Sequence, residues 1–531
     1  MTEDSKDRRL VRGRECFMAI TLFAAVSVGS YELEMKIFEI STKFGINEVD
    51  RISHIIELGR ETYNFEKISS ELVDELCDVL YDFSEIMKSY KVKDYRACAT
   101  SAIREAVNAQ NIIDRIKVRT GLDVDILSNS EQRYISYKAF AINEKNFDRI
   151  IENGTLLIDM GAGSAQVTLF DKGALITTQN IRLGALRIRE MLAKLAKNAA
   201  NYREIIEEYI DNDIETLYKI FMKDRNIINI IGTGENSTYI CLTQKAMENG
   251  LQNKEYIKKQ EFYNLYEMIL NNTEEQLADI LNVPQVQASL IIPSVMLFRR
   301  IFHFTQADNL WMPNVKLGDG LAVEYAQKSK LIKPNHDFME DILSAARVIS
   351  IRYQCNIEHT LFVEVNALKI FDAMKKYHGL GKRERLILQI SSILHDCGKY
   401  VSLIYPAEAA YDIIMSTEII GLSHAERDIV AHIVKYNTLD FDYKSDISDG
   451  KYKNMYITVT KLLSILRVAN ALDRSHKQKM TDTKMYIEDK KLIISTNTYE
   501  DITLEKGLFD EKATFFEEVY GISLVIKQRK K

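Results

Sequence analysis

At 531 residues the chain exceeds what one hydrophobic core sustains, so three or four domains are expected. A hydrophobic fraction of 46% and a charged fraction of 27% are those of a soluble globular protein. The net charge of −6 argues against a broad nucleic-acid-binding surface, although a local basic lining can still hold a polyanion.

Residues 7 to 28, DRRLVRGRE and then FMAITLFAAVSV, imitate the charged start and apolar run of a signal peptide. The run is too short to cross a bilayer and continues into alternating YELEMKIFEI, so it reads as the first core strand. Residues 24 to 40 form an apolar strand, a turn with Gly29 and Ser30, and a strand alternating at Leu33, Met35 and Ile37. Residues 70 to 90 place Leu72, Leu76, Leu80, Phe83 and Met87 on one helix face. In DYRACATSAIREAVN, residues 94 to 108, a strand leads through a turn to a helix start with Thr100 and Ser101 as caps. EQRYISYKAFAI, from Glu131, is predicted helical. Residues 156 to 170, LLIDMGAGSAQVTLF, repeat the plan of residues 24 to 40, with Ser164 in the turn and Val167 and Leu169 alternating beyond it. The first polar strand position is Ser27 in one copy and Asp159 in the other. Two matching hairpins predict two similar α/β lobes facing each other across a cleft. Residues 228 to 240 are a β-branched strand entering a third glycine turn, Gly232-Thr233-Gly234.

Near residue 330 the polar QKSKLIKPNHDF is a linker candidate, followed to about residue 478 by periodic helices. The last fifty residues return to strands, then a helix around FDEKATFFEEVYG, a short strand and the basic tail KQRKK. The six cysteines, Cys16, Cys77, Cys98, Cys241, Cys355 and Cys397, form no CxxC pair, which points to free thiols in a reducing cytoplasm.

A phosphate held between hairpins needs backbone N–H groups that no Cβ obstructs. Gly29 and Ser30, then Gly161, Gly163 and Ser164, then Gly232, Thr233 and Gly234 suit that role. One glycine turn is ordinarily just a turn; three at strand ends in matching lobes point to phosphate. Asp159 would orient a Mg²⁺ or the attacking water, or simply cap its turn. Arg104 either clamps phosphate or pairs with Glu105, and Glu131 taken alone is a solvated helix carboxylate.

ATSAIREAVN (99–108), SEQRY (130–134), IDMGAGSAQ (158–166), RLGALRIRE (182–190) and IIGTGENS (230–237) together resemble the exopolyphosphatase/guanosine pentaphosphate phosphohydrolase (Ppx/GppA) family. The resemblance implies an α/β fold of two ribonuclease-H-like, actin-like ATPase (ASKHA) lobes at 14–136 and 137–328. An all-α HD-like domain at 329–478 and a small α+β domain at 479–531 would follow. It implies a cytoplasmic hydrolase that releases terminal phosphate from inorganic polyphosphate or pppGpp, assisted by Mg²⁺ or Mn²⁺. It also implies pairing into a homodimer, with neither nucleic acid nor membrane as partner. On the same resemblance Glu131 activates water and Arg104 contacts phosphate, while Asp159, Gly161, Gly163 and Ser164 form the second phosphate loop.

Three positions depart from the family pattern: Ser27 and Gln166 stand where acids are usual, and Gly318 where a basic residue is usual. These departures support an alternative, a catalytically weakened protein that binds polyphosphate or (p)ppGpp as a regulator. In the HD-like part, His359, His395 and Asp396 match metal ligands of HD proteins. The last acid is replaced by Asn470, with Asp473 one turn on. A metal-dependent nucleotide phosphohydrolase at that site, or a core histidine with a capped helix end, are both readings of those residues.

Overall fold

The computed structural model describes residues 20–196, 202–234, 240, 256–313, 315–334, 336–441, 453–480 and 482–528. Much of the signal-like stretch, Cys16, Cys241, residues 235–237 of IIGTGENS and the end of the basic tail lie outside the described residues.

The first sheet contains β1 (Thr21–Val28), β2 (Glu32–Ser41), β3 (Gly45–Ile55), β4 (Asp94–Ala99) and β5 (Val124–Ile126), in the order β3-β2-β1-β4-β5. The hairpin strands are antiparallel, while β1, β4 and β5 are parallel, as expected where helices connect strands. β1 is central because TLFAAVSV is apolar on both faces and is buried from Phe23 onward. On one face, Val26, Val28, Leu33, Met35 and Ile37 pack on helix Ser70–Ser89 through Leu76, Leu80, Phe83 and Met87. On the other, Phe23, Ala25 and Phe38 meet Ile135 of helix Asn129–Asn143 and Leu321 and Ala322 of helix Leu317–Lys328. The last of these helices, counted with the second lobe by position in the chain, therefore completes the core of the first.

The second sheet repeats this plan. It holds β6 (Gly154–Met160), β7 (Ala165–Asp171), β8 (Ala174–Ile181), β9 (Ile227–Thr233), β10 (Tyr256–Lys258) and β11 (Asn309–Trp311), ordered β10-β11-β9-β6-β7-β8. β6 occupies the place of β1, antiparallel to its hairpin partner β7 and parallel to β9. Ser27 and Asp159 each lie two residues before the turn glycine, so the two central strands present them at equivalent ends.

Among the described residues the long helices Phe338–Arg352, Ile357–Ala373, Lys382–Leu394, Pro406–Ser416, His424–Tyr436 and Lys453–Ala471 follow. A last three-stranded sheet, β12 (Thr483–Glu488), β13 (Lys491–Thr496) and β14 (Ser523–Gln528), packs with helix Thr503–Tyr520. One continuous core runs from Tyr137, Phe140 and Phe170 through these helices to Leu492, Ile494 and Phe516. The C-terminal sheet and the helical region thus share one interior. Cys77, Cys98, Cys355 and Cys397 are buried free thiols. Among the described residues no single helix is long and apolar enough to cross a membrane.

Candidate functional site

The ends of β1 and β6 open onto one small cleft of about 60 Å³, lined from both lobes. Ser27, Gly29, Ser30, Glu34, Thr100 and Ser101 come from the first lobe, and Asp159, Gly161, Gly163, Ser164 and Gly234 from the second. Gln132, Ser136 and Lys316 complete the polar lining.

Both turns have the same construction. Gly29 N–H donates to Glu32 O, and Gly161 N–H donates to Ser164 O, each at 3.0 Å. These two glycines therefore close their own hairpins, and their amides are not phosphate donors in this arrangement. The remaining amides of the second turn are aimed by its carbonyls. Gly161 O accepts from Ala185 N–H, and Ala162 O from Leu186 and Arg187 N–H, at the start of helix Ala185–Ala196. Gly163 O accepts from Arg187 Nε at 2.7 Å. In a trans peptide the N–H points opposite to the carbonyl. The amides of Ala162, Gly163 and Ser164 therefore point away from that helix, in residues that line the cleft.

The lobes are held close at this point. Ser30 Oγ lies 2.8 Å from Ser101 Oγ and accepts from Tyr63 OH at 2.8 Å and Ala102 N–H at 3.1 Å. The Ser30 hydroxyl is thus committed to the first lobe's own scaffold. Ser101, expected as a helix cap, takes part in this network, and Thr100 Oγ1 donates to Val28 O rather than capping helix Ser101–Glu105. A Cβ on Gly163 would fall 2.0 Å from Tyr63 OH and 2.4 Å from Ser101 Oγ, so only glycine lets the two loops meet. Arg187 locks the approach from the second lobe, binding both oxygens of Glu105 at 2.8 and 2.7 Å and stacking 4.0 Å from the Tyr63 ring.

Asp159 sits at the floor, partly buried. Burial pushes its carboxyl above the usual carboxylate range, against a hydrogen bond from Ser136 and the nearby Arg133 guanidinium. Its register partners are Gln166 on β7 and Thr233 on β9. Gln166 Oε1 and Thr233 Oγ1 are both buried without a hydrogen-bond partner, which is costly unless something binds them. A Cβ on Gly234 would lie 2.4 Å from Asp159 Oδ1 and fill the same space. One carboxylate beside two orphaned oxygens is the donor chemistry a hard divalent cation takes, so these residues fit Mg²⁺ or Mn²⁺.

The remaining predicted residues fall elsewhere. Glu131 is the third residue of its helix, and its Oε2 accepts from Ser128 N–H at 3.0 Å and Ser128 Oγ at 2.8 Å in a reciprocal capping box. Its neighbour Gln132 faces the cleft, with Ser136 one turn on. The Glu131 carboxylate, expected to activate water, is held here in the cap of its own helix, because the sequence that starts the helix also claims it. Arg104 donates to Leu127 O at 2.6 Å and to Asn129 Oδ1, so it braces the loop entering this helix instead of reaching into the cleft. Gly318 leaves no basic side chain, but Lys316 lines the cleft and binds Glu34 Oε1 at 2.7 Å. Glu34, Gln132, Ser136 and Lys316 escaped the sequence reading. The signal available was a polar i, i+4 pair, Gln132 and Ser136, on one face of the helix.

Outside the cleft lining, His359, His395, Asp396 and Asp473 meet in the helical region, with His359 Nε2 3.1 Å from His395 Nε2, His395 Nε2 3.6 Å from Asp396 Oδ1 and His359 Nδ1 2.8 Å from Asp473 Oδ2. Asn470 is not among these contacts.

A model of the Ppx/GppA phosphatase family matches residues 37–329, more than half of the chain, and a model of Ppx/GppA phosphatase domain III matches residues 343–513. The chain is 21% identical over 420 residues to a guanosine-5'-triphosphate,3'-diphosphate pyrophosphatase of Photobacterium profundum, covering 78% of this chain and 80% of the relative. It is 22% identical over 234 residues to a bifunctional 3-dehydroquinate synthase/phosphatase of Fusobacterium nucleatum, covering 42% of this chain and 34% of that protein. Among solved structures, an exopolyphosphatase from Cytophaga hutchinsonii superposes with a TM-score of 0.51 at 17% identity, covering 59% of this chain and 99% of that one. That last likeness is one of fold.

Proposed function

The chain belongs to the Ppx/GppA phosphatase family, and from that premise we propose that its cleft binds the terminal phosphates of a polyphosphate or guanosine polyphosphate and hydrolyses the last anhydride. The observation that carries this reading is the convergence of the two equivalent turns on one cleft beside Asp159. Amides of Ala162, Gly163 and Ser164 supply donors to anionic oxygens, and Lys316, whose ammonium is held by Glu34, lines the same cleft. Asp159, Gln166 Oε1 and Thr233 Oγ1 would hold the Mg²⁺ or Mn²⁺, which when bound neutralises charge on the phosphate oxygens. Phosphoryl transfer passes through a loose transition state, so positioning and charge stabilisation do most of the catalysis. Ser136 and Gln132 then orient water by hydrogen bonding.

The test is phosphate release from polyphosphate and from pppGpp with Mg²⁺ or Mn²⁺ present. Asp159→Asn is expected to lower the rate by roughly a hundred- to a thousandfold, the usual loss for one preorganised contact. Equal rates in wild type and variant would overturn the reading.

One feature favours a second reading, a binder that turns over slowly. The carboxylate at 131 is held in its helix cap, and an amide, Gln132, faces the cleft. Calorimetric titration with the same two ligands separates the readings: tight binding with negligible phosphate release supports the binder.

A further inference from the structure

β2 carries charge on a face that the fold buries. Glu32, Glu34 and Lys36 alternate along the strand, so they share one side of the sheet, and they are 8%, 4% and 1% exposed. Buried charges persist where they are paired. Lys36 donates to both oxygens of Asp319 at 2.9 Å. Lys316 donates to Glu34 Oε1 at 2.7 Å and lies 3.9 Å from Glu32.

Ser27 and Gly318, two of the positions that depart from the family pattern, stand beside this set. Ser27 is the direct cross-strand partner of Glu34. Opposite residues of an antiparallel pair face the same side of the sheet with Cβ atoms about 5 Å apart, and both of these line the cleft. The acid missing from β1 is therefore present on β2 at the same level of the sheet. A Cβ on Gly318 would lie 3.3 Å from Lys36 Cδ, which crowds the start of any side chain there. The ammonium that lines the cleft stands two residues earlier, at Lys316, and is bonded to the relocated acid.

Three acids come into question for the proton of the attacking water, and two are committed. Glu131 is held in its helix cap, and Asp159 lies beside the orphaned Gln166 and Thr233 oxygens that fit the cation. Glu34 is the other carboxylate of the cleft lining among the described residues. Lys316 occupies its Oε1, while Oε2 accepts no hydrogen bond from any described residue. The cleft of about 60 Å³ has room for about five waters, at roughly 10–15 Å³ each. A terminal phosphate and its attacking water fill such a space, which brings Glu34 within reach of that water directly or through one other.

On the reading of the cleft as a phosphate site, we propose that Glu34 is its general base, the catalytic carboxylate that β1 lacks, with Lys316 holding the other oxygen. Glu34 Oε2 takes a proton from water as the water oxygen bonds to the terminal phosphorus. The bridging P–O bond breaks, its electron pair leaves on the shortened chain, and the proton then passes from Glu34 to the released phosphate. A purely structural partner for Lys316 accounts for Oε1, but neither for the open Oε2 nor for the place opposite Ser27.

The test uses the full chain with Mg²⁺ and each of two phosphate donors, polyphosphate and pppGpp. Glu34→Gln keeps the side-chain shape and an acceptor for Lys316, which also retains Glu32 as a counter-charge. This variant is expected to lower kcat by roughly a hundredfold or more. Its calorimetric affinity for the donor should equal that of wild type or be tighter, because a negative charge leaves the site of a polyanion. Adding Gln132→Glu, a carboxylate on the same lining from helix Asn129–Asn143, is expected to recover at least about tenfold of the loss. Glu34→Asp keeps the charge beside Lys316 but withdraws it by one methylene, and should lose at least about tenfold in kcat at an unchanged melting temperature. Unchanged kcat in folded Glu34→Gln and Glu34→Asp, or a loss of kcat matched by an equal loss of affinity, overturns this assignment alone, provided that Asp159→Asn still abolishes release. No release by wild type from either donor overturns both this assignment and the phosphate reading of the cleft.

Discussion

Two adjacent side chains, Glu131 and Gln132, divide the labour at the mouth of the cleft. Glu131 satisfies backbone donors that a helix start leaves open, and capping of this kind contributes about 1 kcal/mol. Glutamine also serves in a capping box, so Glu131→Gln is expected to keep the melting temperature and to change phosphate release by no more than about threefold. Glu131→Ala should lower stability by about 1 kcal/mol in denaturant titrations. A loss of about a hundredfold or more in Glu131→Gln would return the role of general base to position 131. Gln132 offers the converse experiment. A carboxylate placed there faces the lining directly, and Gln132→Glu is expected to raise phosphate release by at least about tenfold, since positioned bases typically contribute a hundredfold or more.

At the scale of elements, the cleft depends on one helix start pressed against one turn. The first amides of helix Ala185–Ala196 hold the carbonyls of Gly161 and Ala162, and Gly184 stands at the contact. A Cβ on Gly184 would lie 2.2 Å from the Gly163 carbonyl carbon and 2.3 Å from Ser164 N. Backbone cannot rotate aside as a side chain can. Gly184→Ala is therefore expected to cost about 1–3 kcal/mol and to weaken ligand binding by displacing the turn. Thermal unfolding and ligand titration on the same variant check both effects. In the first lobe Gly59 N–H donates to Ser30 O at 2.7 Å at the start of helix Leu58–Phe65, so each turn is braced by a helix of its own lobe.

Across the whole molecule, the helical region is joined to the lobes by a buried contact rather than by a free linker. His336 Nδ1 lies 2.7 Å from Asp148 of the second lobe, and Nε2 lies 2.8 Å from Asp341 of helix Phe338–Arg352. Tyr134 and Tyr137 of helix Asn129–Asn143 pack on Phe338 beside it. Burial alone would lower the His336 pKa, but the Asp341 and Asp148 carboxylates outweigh it and raise the value. A folded pKa above the unfolded one means that this stabilisation is complete below about pH 6.5 and is lost as pH rises through the folded value. His336→Gln is accordingly expected to destabilise the protein at about pH 6 and to match wild type at about pH 9 in paired melting curves. Equal differences at both pH values would remove the histidine's charge from the account.

Local pattern was enough for much of this architecture. The repeated hairpins, the Leu76–Met87 helix face and the equivalence of Ser27 with Asp159 follow from periodicity and glycine placement, because strand alternation and tight turns are properties of neighbouring residues. The ordered motifs carried the family resemblance that the models of 37–329 and 343–513 match. Tertiary structure decided which polar side chain faces what. Glu131 and Gln132 are one residue apart, yet 100° of helical rotation sends one to the cap and the other to the cleft. Lys316, its bond to Glu34 and the return of helix Leu317–Lys328 to the first lobe depend on contacts between distant segments, and no local spacing encodes those.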